Sequence, residues 1–322
     1  MKYLVIGTNF ISDLFASAIG ELEGERCLAV YSRKEETGWA FAERWGIERV
    51  YTSYGEALCD PDIDAVYVAS PTFLHKEHAV KAMRCGKQVL CEKMMAATLS
   101  EFYEMKKVSE ECSAVLLEAM RPSHDPMLSL VREELKSLGR VSYGYFNFSQ
   151  YSRRYDAFKE GRILNAFNPA LKNSAVSDIG IYPLSLAASL FGMPIGIGGE
   201  STLLHNGFEG EGSITLTYSD KKIDVSYSKI REDKSPSFIE CERGTLYIDK
   251  ISETKRLWVV QNGNSRDIVY TPSENNMIHE IRAFSAMCRG EGSHKEFLST
   301  TEITQKIVDY VYRTRGIDKY FG

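Results

Sequence analysis

In the first third of the chain, short apolar runs alternate with stretches of helical spacing. Residues 3–6, 28–31, 65–69, 88–91 and 114–117 are dominated by apolar side chains and read as buried strands. Between them, residues 11–19, 37–45, 54–58, 75–85 and 99–112 place apolar residues at helical intervals, and Gly46 and Gly86 stand where helices stop. Strands separated by helices of this length pair in parallel through right-handed crossovers. The expectation is a doubly wound α/β (Rossmann) sheet, with ligand sites at the C-terminal ends of its strands.

After about residue 120 the pattern changes. Residues 127–138 and 177–191 read as helices. Strand candidates follow at 141–148, 195–204, 213–218, 222–228, 238–240, 245–248, 257–261 and 268–270, and helices near 276–287 and 302–313 close the chain. Polar or glycine turns such as Ser219-Asp220, Arg243-Gly244 and Asn262-Gly263 join many of the strands, which is the signature of hairpins and a mostly antiparallel open sheet. Two domains are therefore expected: residues 1–120, a dinucleotide-binding Rossmann unit, and residues 121–322, an α+β unit for substrate binding and dimerisation. A length of 322 residues, long for one core, agrees.

Composition narrows the class by exclusion. The net charge is −5 and no Lys/Arg-rich block occurs, which disfavours a nucleic-acid partner. The seven cysteines form no CxxC pair, so neither a disulfide framework nor a zinc ribbon is indicated; most lie in apolar runs and are expected to be small core residues. No apolar stretch approaches the length of a membrane span, and Met1 leads directly into an apolar run without a basic flank. The reducing cytoplasm is the expected compartment.

The segment Ile6-Gly7-Thr8-Asn9-Phe10-Ile11-Ser12 follows the first strand and opens the first helix, where a G-x-G-x-x-G/A fingerprint belongs. Gly7 would make the tight turn, and the helix N-terminus would face a pyrophosphate. Asn9 and Ser12 replace the second and third glycines; Asn9 is expected to crowd the phosphates, and taken alone the segment also fits a bare strand-to-helix turn. The second strand ends in Tyr31-Ser32-Arg33-Lys34 instead of the acid that holds a ribose 2′-hydroxyl. Arginine pairs with phosphate through two hydrogen bonds, so NADP is preferred over NAD, unless the loop is simply a solvated basic one.

Three further blocks carry a resemblance. Ser70-Pro71-Thr72-Phe73-Leu74-His75 follows the third predicted strand, Cys85-Gly86-Lys87-Gln88-Val89-Leu90-Cys91-Glu92-Lys93 surrounds the fourth, and Asp178-Ile179-Gly180-Ile181-Tyr182-Pro183 opens a helix in the second half. They resemble, in order and spacing, the T/S-P-x-x-x-H, A-G-K-H-V-L-C-E-K-P and D-x-G-x-H/Y motifs of the glucose–fructose oxidoreductase / inositol dehydrogenase family of NAD(P)-dependent oxidoreductases. The resemblance implies that Lys93 lies near nicotinamide and substrate, that Glu92 contacts the cofactor, and that Asp178 and Tyr182 are the second-domain acid and the proton-transfer residue. It also implies a homodimer or homotetramer, with the open sheet covered by a second copy.

The chemistry is consistent with that assignment. Oxidising an alcohol needs a base for the hydroxyl proton, and an ammonium beside a phenol favours the phenolate, so a Lys–Tyr pair can serve. Asp178 and Tyr182 at i, i+4 share one face of a helix. The expected reaction is hydride transfer between NADP(H) or NAD(H) and a secondary alcohol or ketone such as a sugar, polyol or cyclic diol. Met94 replaces the family proline after Lys93, which should leave that backbone less fixed, and Asn173-Ser174-Ala175 replaces a glycine-rich approach to Asp178. Asn9 and Met94 together motivate an alternative, a non-catalytic dinucleotide sensor on the same fold. His75 and His78 have no third partner for a metal and none is expected; His75 is placed on the cofactor cleft. His124, and Tyr151 to Tyr155 with Arg153 and Arg154, are secondary candidates for pocket contacts.

Overall fold

A computed structural model describes the whole chain, Met1–Gly322. It forms two compact units, one of Met1–Arg121 with Glu274–Thr301, the other of Pro122–Ser273 with Glu302–Gly322. The return of residues 274–301 to the first unit leaves no mark in hydrophobic periodicity.

The first unit is a parallel sheet of β1 (Lys2–Ile6), β2 (Arg26–Tyr31), β3 (Arg49–Tyr51), β4 (Ala65–Val68), β5 (Gln88–Glu92) and β6 (Leu116–Ala119), in the order β3-β2-β1-β4-β5-β6. The helices α1 (Phe10–Gly20), α2 (Glu35–Trp45), α3 (Tyr54–Cys59), α4 (His75–Arg84) and α5 (Leu99–Cys112) connect the strands. Local chemistry sets their ends. Ser53 and Thr98 cap α3 and α5 by accepting the N–H groups of Glu56 and Glu101, and α2 ends at Gly46 in the left-handed region, φ 64°. Both faces of the sheet are buried, which is why its strands read as continuous apolar runs. Leu4, Val66, Val89 and Leu116 pack on Met83, Phe102 and Met105. On the other face Tyr3, Val5, Tyr67 and Leu117 pack on Phe15, Phe41, Ile281 and Phe284, with Phe15 stacked on Tyr67 at 3.7 Å.

Three expectations need correction. β3 was not foreseen, because a three-residue, half-buried strand is too short for a periodic signal. The last strand of this sheet is Leu116–Ala119, displaced from the apolar run at 114–117. The cysteines are mostly not core residues: all seven are free thiols, but Cys91 alone is buried, while Cys59, Cys85 and Cys112 are exposed on or beside helix ends.

The one-turn α6 (Arg121–His124) leads out of the first unit. The second unit holds α7 (Met127–Leu138), β7 (Val141–Ser149), α8 (Arg154–Lys159), a π-helical turn at Val176–Gly180 continuing into α9 (Ile181–Phe191), and seven more strands. These are β8 (Gly196–Leu203), β9 (Glu209–Thr217), β10 (Lys222–Ser228), β11 (Ser237–Cys241), β12 (Gly244–Ile248), β13 (Leu257–Gln261) and β14 (Asn264–Asp267). The sheet order is β14-β13-β12-β11-β7-β10-β9-β8, antiparallel except for the central β7–β10 pair. Asn262 and Gly263, at φ 52° and 77°, make the two-residue turn that pairs Gln261 with Asn264. That turn puts the last strand at 264–267, not at the apolar run 268–270. Finally, α10 (Met277–Cys288) belongs to the first unit, and α11 (His294–Arg315) begins in the first and ends in the second.

Lys87, inside one of the motif blocks, has a structural task. It is buried, and its ammonium donates to the carbonyl oxygens of Asp60 and Ile63 at 2.7 and 2.8 Å, closing the loop before β4. Lys87→Met removes both hydrogen bonds and strands two buried carbonyls, so unfolding in urea should show the first unit weakened by roughly 1–3 kcal/mol, with dinucleotide affinity unchanged.

Candidate functional site

Between β1 and β4 the strand order of the first unit reverses, and neighbouring crossovers leave to opposite faces. At the C-terminal ends of these strands lies a cavity of about 550 Å³. Gly7, Thr8 and Asn9 form one wall, Tyr31, Ser32, Arg33, Lys34 and Thr37 a second, and Ala69, Ser70, Pro71, Leu74 and His78 a third. Gly7 has φ +99°, and a Cβ there would stand 2.8 Å from the Ala69 carbonyl oxygen, so glycine is required for the two strand ends to approach.

Asn9 does not obstruct the turn. Its backbone is extended (φ −94°, ψ 178°), its Oδ1 accepts the N–H groups of Ile11 and Ser12 at 3.0 and 3.4 Å, and its Nδ2 donates to the Ala69 carbonyl at 3.0 Å. The asparagine caps α1 and ties it to the end of β4. Ser12 is fully buried, with its Oγ lacking a hydrogen-bond partner. Ser32 lines the cavity, but its hydroxyl is engaged by Thr37 Oγ1 (2.7 Å) and the Lys34 carbonyl (2.8 Å), shaping the loop that presents Arg33 and Lys34 as exposed cations. The cradle at Gly7, the helix N-terminus and the basic end of β2 fit a dinucleotide diphosphate with a further phosphate on its ribose.

Not every residue expected at the cofactor lines this cavity. Phe10, 73% exposed, and Ile11 and Thr72 are outside the cavity wall. His75 is buried beneath that wall and does not line it; its Nε2 faces the Ser70 carbonyl at 2.7 Å and its Nδ1 the Met94 carbonyl at 3.1 Å. It joins the loop after β4 to the loop after β5. His78, three residues on, is the cavity residue: its Nδ1 meets Ser70 Oγ at 2.9 Å and its ring packs edge-on against Tyr31 and Tyr54.

Lys93 follows β5 directly and is half-buried. Its own amide donates to the Glu92 carboxylate at 3.3 Å, and the Tyr67 hydroxyl donates to the same carboxylate at 2.5 Å. Burial pushes Glu92 above the usual carboxylate range, against the pull of Tyr67 and of the Lys93 charge. The Lys93–Met94 peptide is cis. The expectation that losing proline would loosen this backbone is not met: Met94 and Met95 are buried, His75 holds the Met94 carbonyl, and Glu118 accepts the Met95 amide at 2.8 Å. Burial raises Glu118 to about 7.

In the second unit, Asp178 lies within the π-helical turn and Tyr182 in the first turn of α9, so the helix expected over 177–191 opens as a π turn and passes without a break into α-helix between them. Buried side chains hold the turn. Glu209 accepts the Val176 amide at 2.9 Å, Ser174 and Ser177 hydrogen-bond each other, and Ser174 also meets the Tyr312 hydroxyl. Asp178 is paired with the buried ammonium of Lys229 at 2.8 Å. Tyr182 is buried and packs edge-on against Phe148 at 5.3 Å. Sequence reading missed Lys229 and Glu209 altogether, since neither belongs to a motif block and each reads as one of several charges near a strand end. His124 falls in α6, and Tyr151 is bonded to Asp156 and Lys159.

A cavity at the strand-order reversal of a parallel sheet, floored by a glycine turn, is where doubly wound folds bind nicotinamide and related dinucleotides; the class is a dinucleotide-dependent enzyme. Comparison with known proteins gives its family. The family model described as "Oxidoreductase family, NAD-binding Rossmann fold" matches residues 1–119. The chain is 33% identical over 320 residues to scyllo-inositol 2-dehydrogenase (NADP(+)) IolU of Bacillus subtilis, covering 98% of both chains. It is 27% identical to trans-1,2-dihydrobenzene-1,2-diol dehydrogenase of Xenopus tropicalis, covering 85% of this chain and 83% of that one. Among solved structures it shares its fold with KijD10, a 3-ketoreductase from Actinomadura kijaniata in complex with NADP, at TM-score 0.82 and 22% identity over 98% of this chain and 97% of that one. The chain belongs to the glucose–fructose oxidoreductase / inositol dehydrogenase family of oxidoreductases.

Burial pushes the His78 imidazole down from 6.5 to about 4. The folded protein therefore keeps His78 neutral at pH values where the unfolded chain protonates it, and the resulting stability is full above pH 6.5 and lost as pH falls from 6.5 toward 4. His78→Gln, which keeps a partner for Ser70, should flatten that limb of the stability–pH curve by an amount on the order of 1–3 kcal/mol, read from urea midpoints at pH 7 and 5.

Proposed function

We propose that the protein transfers a hydride reversibly between NADP(H) and a secondary alcohol or ketone of a sugar, polyol or cyclic diol. Lys93, Asp178 and Tyr182 carry the proton chemistry and substrate orientation. The observation that carries the cofactor choice is the end of β2: no acid stands there to hold a ribose 2′-hydroxyl, and Arg33 and Lys34 line the cavity instead. The NADP(+) dependence in the name of the Bacillus subtilis relative supports the same choice. NAD(H) would lack the phosphate that these cations attract.

Gly7, Thr8 and the start of α1 would hold the diphosphate, with Arg33 on the 2′-phosphate and Ser70 and Pro71 along the wall. When bound, the nicotinamide accepts or supplies the hydride. Tyr182 takes the proton from the substrate hydroxyl in oxidation and returns it to the carbonyl oxygen in reduction. A neighbouring cation, for which Lys93 is the candidate, would favour the phenolate form on which that exchange depends. Asp178 accepts a hydrogen bond from a substrate hydroxyl and fixes its orientation.

The site residues divide between a cofactor-binding unit, the first, and a substrate-binding unit, the second, and the open sheet of the second unit is proposed as the surface of a homo-oligomer. Tyr145, Phe238, Tyr247 and Trp258 stand in register on neighbouring strands, half-buried, with ring centres 5.7, 5.9 and 5.1 Å apart in sequence along the row. Such a row exposes apolar area that a second copy can cover with the same row about a two-fold axis. A cytoplasmic enzyme fits; no helix is long and apolar enough to cross a membrane.

Titration with NADPH and NADH, followed by nicotinamide fluorescence, should show NADPH bound the more tightly and Arg33→Ala losing roughly tenfold or more of that preference. Lys93→Ala should bind NADPH as the wild type does while turnover of polyols falls by on the order of 100-fold or more. NADPH binding without turnover of any polyol by the wild type would point to the sensor instead. Light scattering at micromolar concentration should give at least a dimer, and Trp258→Glu should shift it toward monomer; a monomeric wild type sinks the interface.

A further inference from the structure

The buried lysine behind Asp178 belongs to no sequence motif, yet its surroundings are closely determined. Lys229 follows β10, and its backbone is fixed on both sides: the amide donates to the Gly210 carbonyl at 2.9 Å, and the carbonyl accepts the Ser152 amide at 2.9 Å. The ammonium donates to the Ala166 carbonyl at 2.9 Å and pairs with Asp178 Oδ2 at 2.8 Å. The rings of Phe167 and Phe208, both fully buried, lie 4.9 and 5.2 Å from it. The lysine side chain is 4% exposed and the aspartate 38%.

That asymmetry separates this pair from an ordinary ion pair. Surface pairs are open at both ends and contribute little. A buried core pair is closed at both ends and serves packing. Here the cation is sealed inside an aromatic box and the anion stands half in solvent. Removing a charge of this burial from water is costly unless it is compensated, so the box holds a firm place for one carboxylate. The backbone that bears that carboxylate is held separately. Glu209 takes the Val176 amide, and Gly180 lies so close to Tyr227 that a Cβ would stand 3.0 Å from the ring. π-helical turns recur at functional sites because they set side chains at angles that an α-helix does not offer.

We infer that Lys229 is a positioning residue for the active site: through its ion pair it holds Asp178 as an oriented, ionised carboxylate that accepts a hydrogen bond from a hydroxyl of a polyhydroxylated substrate. The inference rests on the oxidoreductase reading above and adds to it the state of the acid. Asp178 works as an acceptor and orienter, not as a proton donor, because a neighbouring ammonium stabilises the charged carboxylate. The same cation also holds the Ala166 carbonyl, so the segment around Phe167 and the acid are fixed together.

The test is a kinetic double-mutant cycle on the full-length protein with the best polyol from a substrate screen, using wild type, Lys229→Met, Asp178→Asn and the double variant. NADPH affinity is measured for each by fluorescence. Lys229→Gln, which keeps a donor in the box without the charge, is run alongside in case the methionine variant does not fold. The expected result is a loss of roughly 10- to 100-fold in kcat/KM for Lys229→Met or Lys229→Gln, with NADPH affinity unchanged. The corresponding double variant should be no worse than Asp178→Asn alone, because the lysine acts through the acid. Losses that multiply in the double variant would show the lysine to be merely structural and overturn the inference, leaving the oxidoreductase reading in place. A wild type that turns over no polyol would instead overturn that reading, and the inference with it.

Discussion

Everything at the cofactor end depends on one close approach. The end of β1 can lie against the end of β4 only because residue 7 has no side chain: its φ of +99° and a would-be Cβ 2.8 Å from the Ala69 carbonyl leave no alternative to glycine. That approach sets the direction in which α1 departs, and Asn9 then secures it by bonding forward to Ile11 and Ser12 and across to the same Ala69 carbonyl. The substitution that weakened the dinucleotide fingerprint on paper is a helix cap in the structure. The fingerprint's second glycine has been replaced by a residue that stiffens the turn through hydrogen bonds.

The same logic, buried polar groups used as fasteners, recurs around the side chains proposed for the chemistry. Behind Lys93, His75 holds the Met94 carbonyl and Glu118 the Met95 amide. Behind Asp178, Glu209 holds the Val176 amide and Lys229 the carboxylate itself. Such groups are expensive to bury unless fully engaged, so a wall built of them has few alternative arrangements, and the residues it presents inherit that rigidity. Glu280 in the first unit departs from this rule, as the Ser12 hydroxyl does. It is fully buried, both carboxylate oxygens lack a hydrogen-bond partner, and burial with Glu92 nearby pushes it well above the ordinary carboxylate range.

The two units use the sheet differently. In the parallel sheet both faces are covered, the strands are short, and function gathers at their C-terminal edge. In the antiparallel sheet one face carries the helical elements that present Asp178 and Tyr182, while the other carries the row Tyr145–Phe238–Tyr247–Trp258. Alternation along β11, β12 and β13 makes this possible: Ile239, Leu246 and Val259 point into the core, and their neighbours form the aromatic row.

Much of this was legible in the chain alone, because it is encoded locally. Buried parallel strands announce themselves as apolar runs, helices by their spacing and by caps such as Thr98 and Gly46, and the β13–β14 hairpin by Asn262-Gly263. Gly7, Arg33, Lys93, Asp178 and Tyr182 stand out as candidates in blocks a few residues long. What stayed hidden depends on contacts between distant segments. β3 is too short to carry a period of its own, and α10 joins the first unit through apolar residues whose partners lie far away in sequence. His75 and His78 differ by three positions on one helix, yet the first is a buried bridge and the second a cavity wall; only packing separates them. Lys229 reads as an ordinary lysine after a strand until Phe167, Phe208, Ala166 and Asp178 close around it, because a side chain's burial and partners are properties of the assembled fold and not of its neighbours in sequence.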